Sequence, residues 1–165
     1  MKRIGLLSDT HAHWDDRYIR YFESCDEIWH AGDMCSFEHA QQFASLKMFR
    51  AVCGNCDGGD LRRLYPELLR WKCEDVDVMM KHIGGYPGNY SPQALSEMMK
   101  KPPQIFVAGH SHILKVIYDK KYNCLHLNPG ACGRYGFHLV RTALRFEITD
   151  GEVKNMEVIE LGKRK

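Results

Sequence analysis

The sequence predicts an α/β fold, built first from parallel crossover units and then from antiparallel hairpins. Apolar strand-like runs alternate with helical stripes as far as residue 53, and the later strands come in pairs joined by tight turns. A third observation concerns where these runs stop. SDTH (8–11), AGD (31–33), GNCD (54–57), KH (81–82) and GHSH (109–112) carry metal-ligating side chains, and four of the five follow an apolar run, which places the ligands along one rim of a sheet.

Residues 3–8 read as a buried strand and 15–25 as a helix, because Tyr18, Tyr21, Phe22 and Cys25 fall at i, i+3, i+4 and i+7. Residues 27–31 form the next strand, Ser36 caps a helix with Phe37, Ala40 and Ala44 on its stripe, and 48–53 form a third strand. Strands separated by helices imply parallel crossovers. From residue 68 the pattern changes: 69–73 and 76–81 flank Glu74 and Asp75 as a hairpin. Ser91 and Pro92 open a helix that Lys100, Lys101 and two prolines close. Residues 105–108 form a short buried strand, 114–119 pairs with 124–128, and 143–149 pairs with 152–161 across Asp150 and Gly151. The stretch with Gly84, Gly85, Tyr86 and Tyr90 reads as loop, its tyrosines able to wall a pocket.

The 165 residues suit one domain over 1–165, since a chain of this size buries about 70% of its extended surface. A net charge of +2 gives no reason to expect a polyanion-binding face, and the basic end at 162–165 reads as a solvated tail. No apolar run approaches the roughly 20 residues of a membrane span, and no signal peptide is visible. Seven cysteines without a regular framework fit a reducing cytoplasm.

Asp9 and His11 are two apart, so an extended segment projects both to the same side, as a shared cation requires. Alone, DxH also describes a turn-capping Asp beside an exposed His. His110 and His112 repeat the spacing behind a Gly; residues i and i+2 of a strand lie about 6.6 Å apart, while paired hydrolase metals lie about 3.5–4 Å apart. Two imidazoles there can serve neighbouring ions, or form an exposed turn. Asp33 follows a Gly-ended strand and has two oxygens with which to bridge cations, or it caps the next helix. Asn55 offers a neutral amide oxygen, or is a plain turn residue.

Taken together, the ordered set DxH, GD, GNCD, H and GHSH resembles the calcineurin-like metallophosphoesterase family, in particular its small bacterial and archaeal phosphodiesterase branch, which is similar in fold to the retromer scaffold subunit. Asn128, Pro129 and Gly130 resemble a further turn of that branch, so the likeness covers most of the chain. It implies two packed mixed β-sheets flanked by helices, a four-layer αββα sandwich with the metal site at the C-terminal ends of strands. It implies that Asp9, His11, Asp33 and His112 hold one ion and Asp33, Asn55, His82 and His110 the other, with Asp33 as the bridge and Asn55 also contacting substrate. The expected activity is two-metal hydrolysis of a small phosphodiester, with a shared water of lowered pKa as nucleophile. Manganese is the expected metal, and zinc, iron or nickel also suit oxygen and nitrogen donors. A homodimer or homotetramer would be ordinary for such an enzyme.

Two departures stand out. Where many members read GNH this chain has Cys56, a candidate proton donor as a thiol or simply a small packed residue, with Asp57 orienting its neighbours. Where members commonly show HisGlyHis, only His82 remains. Two other classes compete: a thiol redox protein using Cys53 and Cys56 as CxxC, and a non-catalytic metal-binding scaffold, which loss of ligands would signal. All seven ligands are present.

Overall fold

The computed structural model describes residues 1–165. In chain order it runs β1 (Lys2–Leu7), α1 (Arg17–Phe22), β2 (Glu27–His30), α2 (Phe37–Leu46), β3 (Met48–Ala51), α3 (Asp60–Leu64), β4 (Leu68–Cys73) and β5 (Val76–Lys81). There follow β6 (Gly85–Tyr86), β7 (Asn89–Tyr90), α4 (Pro92–Lys100), β8 (Ile105–Val107), β9 (Leu114–Asp119), β10 (Cys124–Pro129), β11 (Val140–Thr149) and β12 (Glu152–Lys163). Two five-stranded mixed sheets result, ordered β12-β11-β1-β2-β3 and β4-β5-β8-β10-β9. The parallel trios β1-β2-β3 and β5-β8-β10 carry antiparallel strands at their margins, so the expected α/β class with paired mixed sheets is observed.

Period-2 alternation along the strands explains the layers. Ile4 and Leu6 face the inter-sheet core with Trp29, Phe146, Val78, Met80, Val107 and Leu127. Leu7 and Ile28 point outward onto Tyr18, Phe22 and Phe43 of α1 and α2, while Met79 and Phe106 point outward onto Ala94 and Met98 of α4. Helices thus cover both outer faces, which is why the central parallel strands are apolar on both sides. Trp29 is the hub of the inner layer, edge-on to Trp71 at 4.9 Å and to Phe146 at 5.7 Å.

Several elements differ from expectation. α1 is shorter than 15–25 at both ends; at its start the buried guanidinium of Arg141 holds Asp15 outside the helix (Nη2 to Oδ2, 3.1 Å) and Arg17 holds it from the other side (2.7 Å). These partners, Arg17 foremost, hold the Asp15 carboxyl well below its usual range. Ser36 does cap α2, its Oγ accepting from His39 N at 3.2 Å, but the buried stripe is His39, Ala40 and Phe43, and Ala44 is exposed. α3 buries only Leu61 and is too short to show a period. Residues 83–90 hold the β6–β7 ribbon where a loop was expected. The basic end is not a free tail: β12 runs to Lys163, and Arg164 donates to the carbonyls of Leu139 (3.0 Å) and His138 (2.8 Å). All seven cysteines are free thiols, and no helix is long and apolar enough to cross a membrane.

Phe146→Ala opens a cavity against Trp29 in the inter-sheet core; the expected cost is about 3–5 kcal/mol, read from the denaturant midpoint at unchanged slope.

Candidate metal centre

Parallel strands present all their carboxyl ends at one rim, and here the loops leaving β1, β2, β3, β5 and β8 carry Asp9, Asp33, Asn55, His82 and His110 to the same place. Two groups of donor atoms form, Asp9 with His11 and His112, and Asp33 with His82 and His110, each gathered within 4.8 Å. Asp33 Oδ2 lies between the groups, 3.6 Å from His11 Nε2 and 3.2 Å from His82 Nε2. Asp9 Oδ1 lies 3.1 Å from His112 Nε2 and 3.8 Å from His82 Nε2. Asn55 Oδ1 is 3.0 Å from both His82 Nε2 and His110 Nδ1, so its amide oxygen faces the second group. All seven residues proposed as ligands therefore meet. Asp9, Asp33 and His82 are buried; His110 is exposed and gives the centre its open side.

The local backbone is not the extended one on which the i, i+2 argument rested. β1 ends at Leu7 and β8 at Val107, and Asp9 (φ 54°), His11 (φ 45°), Asp33 (φ 59°), His110 (φ 68°) and His112 (φ 61°) all sit in the left-handed region. Such backbone costs a non-glycine residue on the order of 1–3 kcal/mol and persists only where neighbours over-determine it. They do: Asp9 N and His11 N donate to the carbonyls of Gly32 and Asp33 (3.0 Å each), and Gly133 N donates to Asp9 O (3.1 Å). The glycines before Asp33, Asn55 and His110 are required by space. A Cβ on Gly32 would stand 2.6 Å from His82 Nδ1, one on Gly54 would strike Asp33 Oδ1, and one on Gly109 would strike Ser8 Oγ.

Buried polar residues hold this geometry: Asp57 and Asn128, which the sequence pointed to, and Thr10, His30 and His39, which it did not. Asp57 stands behind the centre, accepting the N–H groups of Cys35 (2.7 Å), Gly54 (2.8 Å) and Asp33 (3.0 Å), so it orients neighbours and ligates nothing. Asn128 Nδ2 donates to Gly109 O and Ser111 Oγ, stapling the GHSH loop. His30 Nδ1 accepts Gly32 N–H (3.1 Å), so its proton is on Nε2 and is donated to Thr10 Oγ1 (2.9 Å). The Thr10 hydroxyl finds its acceptor in His39 Nε2 (2.8 Å). Burial pushes His30 down to about 3 and His39 down to about 4, so both stay neutral. A His on a helix and a His on a strand look like surface residues in a sequence; only their shared Thr10 reveals them as a frame.

The donors suit divalent cations. His82 Nδ1–H donates to Ala31 O at 2.7 Å, which leaves the Nε2 lone pair for a metal. His11 Nε2 is buried without any hydrogen-bond partner, as a ligand nitrogen would be. Burial raises the carboxyls of Asp9 and Asp33, but the histidines outweigh it, His112 chiefly at Asp9 and His82 at Asp33, and both end below their usual range and ionised. Burial lowers His82, yet its hydrogen bond to Asp33 and the charges of Asp9 and Asp33 outweigh that and raise it. A proton on His82 therefore competes with a cation.

Cys56 is exposed at the mouth, with its N–H donated to Asp33 Oδ1 (2.9 Å). Burial and the Asp33 charge push its thiol up, and burial does the same to Cys53, whereas a CxxC redox pair needs a depressed thiol. On the far side of His110, Gly84, Tyr86, Tyr90 and Ser111 line a cleft of about 350 Å3, walled by the β6–β7 ribbon.

The calcineurin-like phosphoesterase superfamily domain matches residues 1–151, and the chain belongs to that family. Among solved structures it is similar to an archaeal phosphodiesterase (TM-score 0.77, 22% identity, covering 96% of this chain and 99% of that one). It is similar to a predicted phosphoesterase from Streptococcus pneumoniae (TM-score 0.71, 23% identity, 96% and 89%). It is also similar to Vps29 from Entamoeba histolytica, solved in complex with zinc (TM-score 0.69, 18% identity, 96% and 98%). No curated protein matches the sequence.

Gly54→Ala drives a methyl into Asp33, and divalent-ion affinity measured by calorimetry is expected to fall roughly 10- to 100-fold with the fold intact. For the chelator-stripped protein, the neutral burial of His30 and His39 contributes stability above 6.5, their unfolded value, that is lost as pH falls toward about 4 and then about 3. Denaturant titrations of His39→Gln should show a shallower loss between pH 6.5 and 4 than wild type.

Proposed function

We propose that the protein is a phosphodiesterase that works with two divalent cations. The observation that supports this most is Asp33 Oδ2, placed between His11 Nε2 and His82 Nε2 so that one carboxylate faces both donor groups. Asp9, His11, Asp33 and His112 would hold one ion and Asp33, Asn55, His82 and His110 the other. When bound, such a pair lowers the pKa of a shared water toward about 7 and neutralises phosphoryl oxygens. Oxygen and imidazole donors admit manganese, zinc, iron or nickel, and manganese is the metal the family resemblance implies.

The chain's own groups supply position. With Asn55 Oδ1 turned toward His82 and His110, its Nδ2 is directed to the Cys56 side of the mouth (3.8 Å to Sγ), where it can donate to a phosphoryl oxygen. Cys56, kept protonated by burial and by Asp33, is a proton source at the mouth for a departing alkoxide. The cleft beside His110 has the size of a small-ligand pocket, and the second ester group of a diester would fill it where a monoester leaves it empty. That favours small diesters with a ring-bearing or otherwise good leaving group.

With manganese, the protein should hydrolyse a chromogenic phosphodiester in preference to the matching monoester. Asp33→Ala or His110→Ala should lower kcat at least roughly 100-fold, the scale of losing one preorganised charge-stabilising contact. Inertness of wild type with every divalent ion would instead support a binding scaffold. Because His82 must release its proton to accept a cation, manganese affinity should rise with pH through a value above 6.5, and His82→Asn should flatten that rise.

A further inference from the structure

Outside the seven-ligand centre, a second set of donors converges at its mouth. A His11 ring nitrogen, Cys35 Sγ and Cys56 Sγ gather within 4.8 Å, and Cys35 Sγ lies 3.4 Å from His11 Nδ1. The three come from separate loops, after β1, β2 and β3, and each backbone is fixed. His11 N donates to Asp33 O (3.0 Å), Cys35 N to Asp57 Oδ1 (2.7 Å) and Cys56 N to Asp33 Oδ1 (2.9 Å). Cys35 is held in the left-handed region (φ 65°), where a cysteine is rare, and both thiols are exposed.

We propose that Cys35, Cys56 and His11 Nδ1 form a third, thiophilic cation site that takes zinc- or cadmium-class ions and antagonises the neighbouring centre. A tetrahedral ion with sulfur at about 2.3 Å and nitrogen at about 2.0–2.1 Å sets those two donors about 3.5 Å apart, close to the spacing between Cys35 and His11. Two cysteines, one histidine and an open fourth position make a familiar zinc donor set, and soft sulfur selects against manganese. Binding would release the two thiol protons to solvent. The antagonism rests on the two-ion reading and follows from His11 itself. A neutral imidazole has a single lone pair, so His11 ligates the thiol-site ion through Nδ1 or the inner centre through Nε2, where it is 3.6 Å from Asp33 Oδ2.

The test uses the full-length, chelator-stripped protein titrated with cobalt(II), whose thiolate complexes show a sulfur-to-metal charge-transfer absorption that oxygen and nitrogen ligands do not give. Wild type should develop this band, Cys35→Ser and Cys56→Ser should lose it, and Asp33→Asn, whose amide oxygen can still accept the Cys56 N–H, should keep it. No band in wild type, or a band that survives both serine variants, overturns the proposal. In parallel, cadmium added at one equivalent should cut manganese-supported diester hydrolysis roughly tenfold or more in wild type, the scale for disturbing a ligand's orientation, and leave Cys35→Ser unaffected. Equal inhibition of the two proteins overturns the antagonism. A cobalt band in a protein with no manganese-supported hydrolysis upholds the thiolate site and sinks the phosphodiesterase reading instead.

Discussion

The centre depends on one buried carboxylate that is not itself a ligand. Asp57 accepts three backbone N–H groups, two from the loop after β2 and one from the loop after β3, and so ties Asp33 and Asn55 into a common frame. A charge that is 2% exposed is tolerable only because all of this donation converges on it. From that anchor outward, Asp33 accepts from Cys56 N, His11 N pairs with Asp33 O, and Gly133 N closes onto Asp9 O. The ligand loops of the first sheet thus form one hydrogen-bonded unit before any cation arrives.

Electrostatics and sterics are set against each other within this unit. Two ionised carboxylates and four imidazoles crowd a space that burial makes hostile to charge, and the carboxylates strengthen the hold of His82 on a proton despite that burial. The neutral pair His30 and His39, by contrast, carries no net charge toward the site and acts through Thr10 and through the Gly32 N–H that His30 accepts. Neutral hydrogen bonding from these histidines supports the rim alongside Asp57.

Much of this was legible in the residues. The two stretches of strand and helix alternation, the Ser36 cap, Pro92 at the start of α4 and the Asp150–Gly151 turn, both at positive φ, all follow local rules that act over a few residues. The glycine before each of three ligands was visible too, though its reason, the closeness of Asp33, His82 and Ser8, is a tertiary fact. What escaped were long-range effects. Arg141 holds Asp15 outside α1 from 126 residues away, Thr10 draws His39 inward and rotates the buried face of α2, and Arg164 finds carbonyls on the segment before β11. The ligands' left-handed backbone was hidden because an i, i+2 spacing looks the same in a strand and in a turn.

That left-handed backbone also shapes what mutation can do to the protein. Asn and Gly tolerate positive φ better than His, so exchanging His11, His110 or His112 for either relieves strain while removing a candidate ligand. Stability and ion retention then pull in opposite directions at three of the seven positions. Without selection for the ions, the easiest mutational path runs toward a sturdier protein that no longer holds them, so a fold of this kind drifts from catalyst to framework without unfolding on the way.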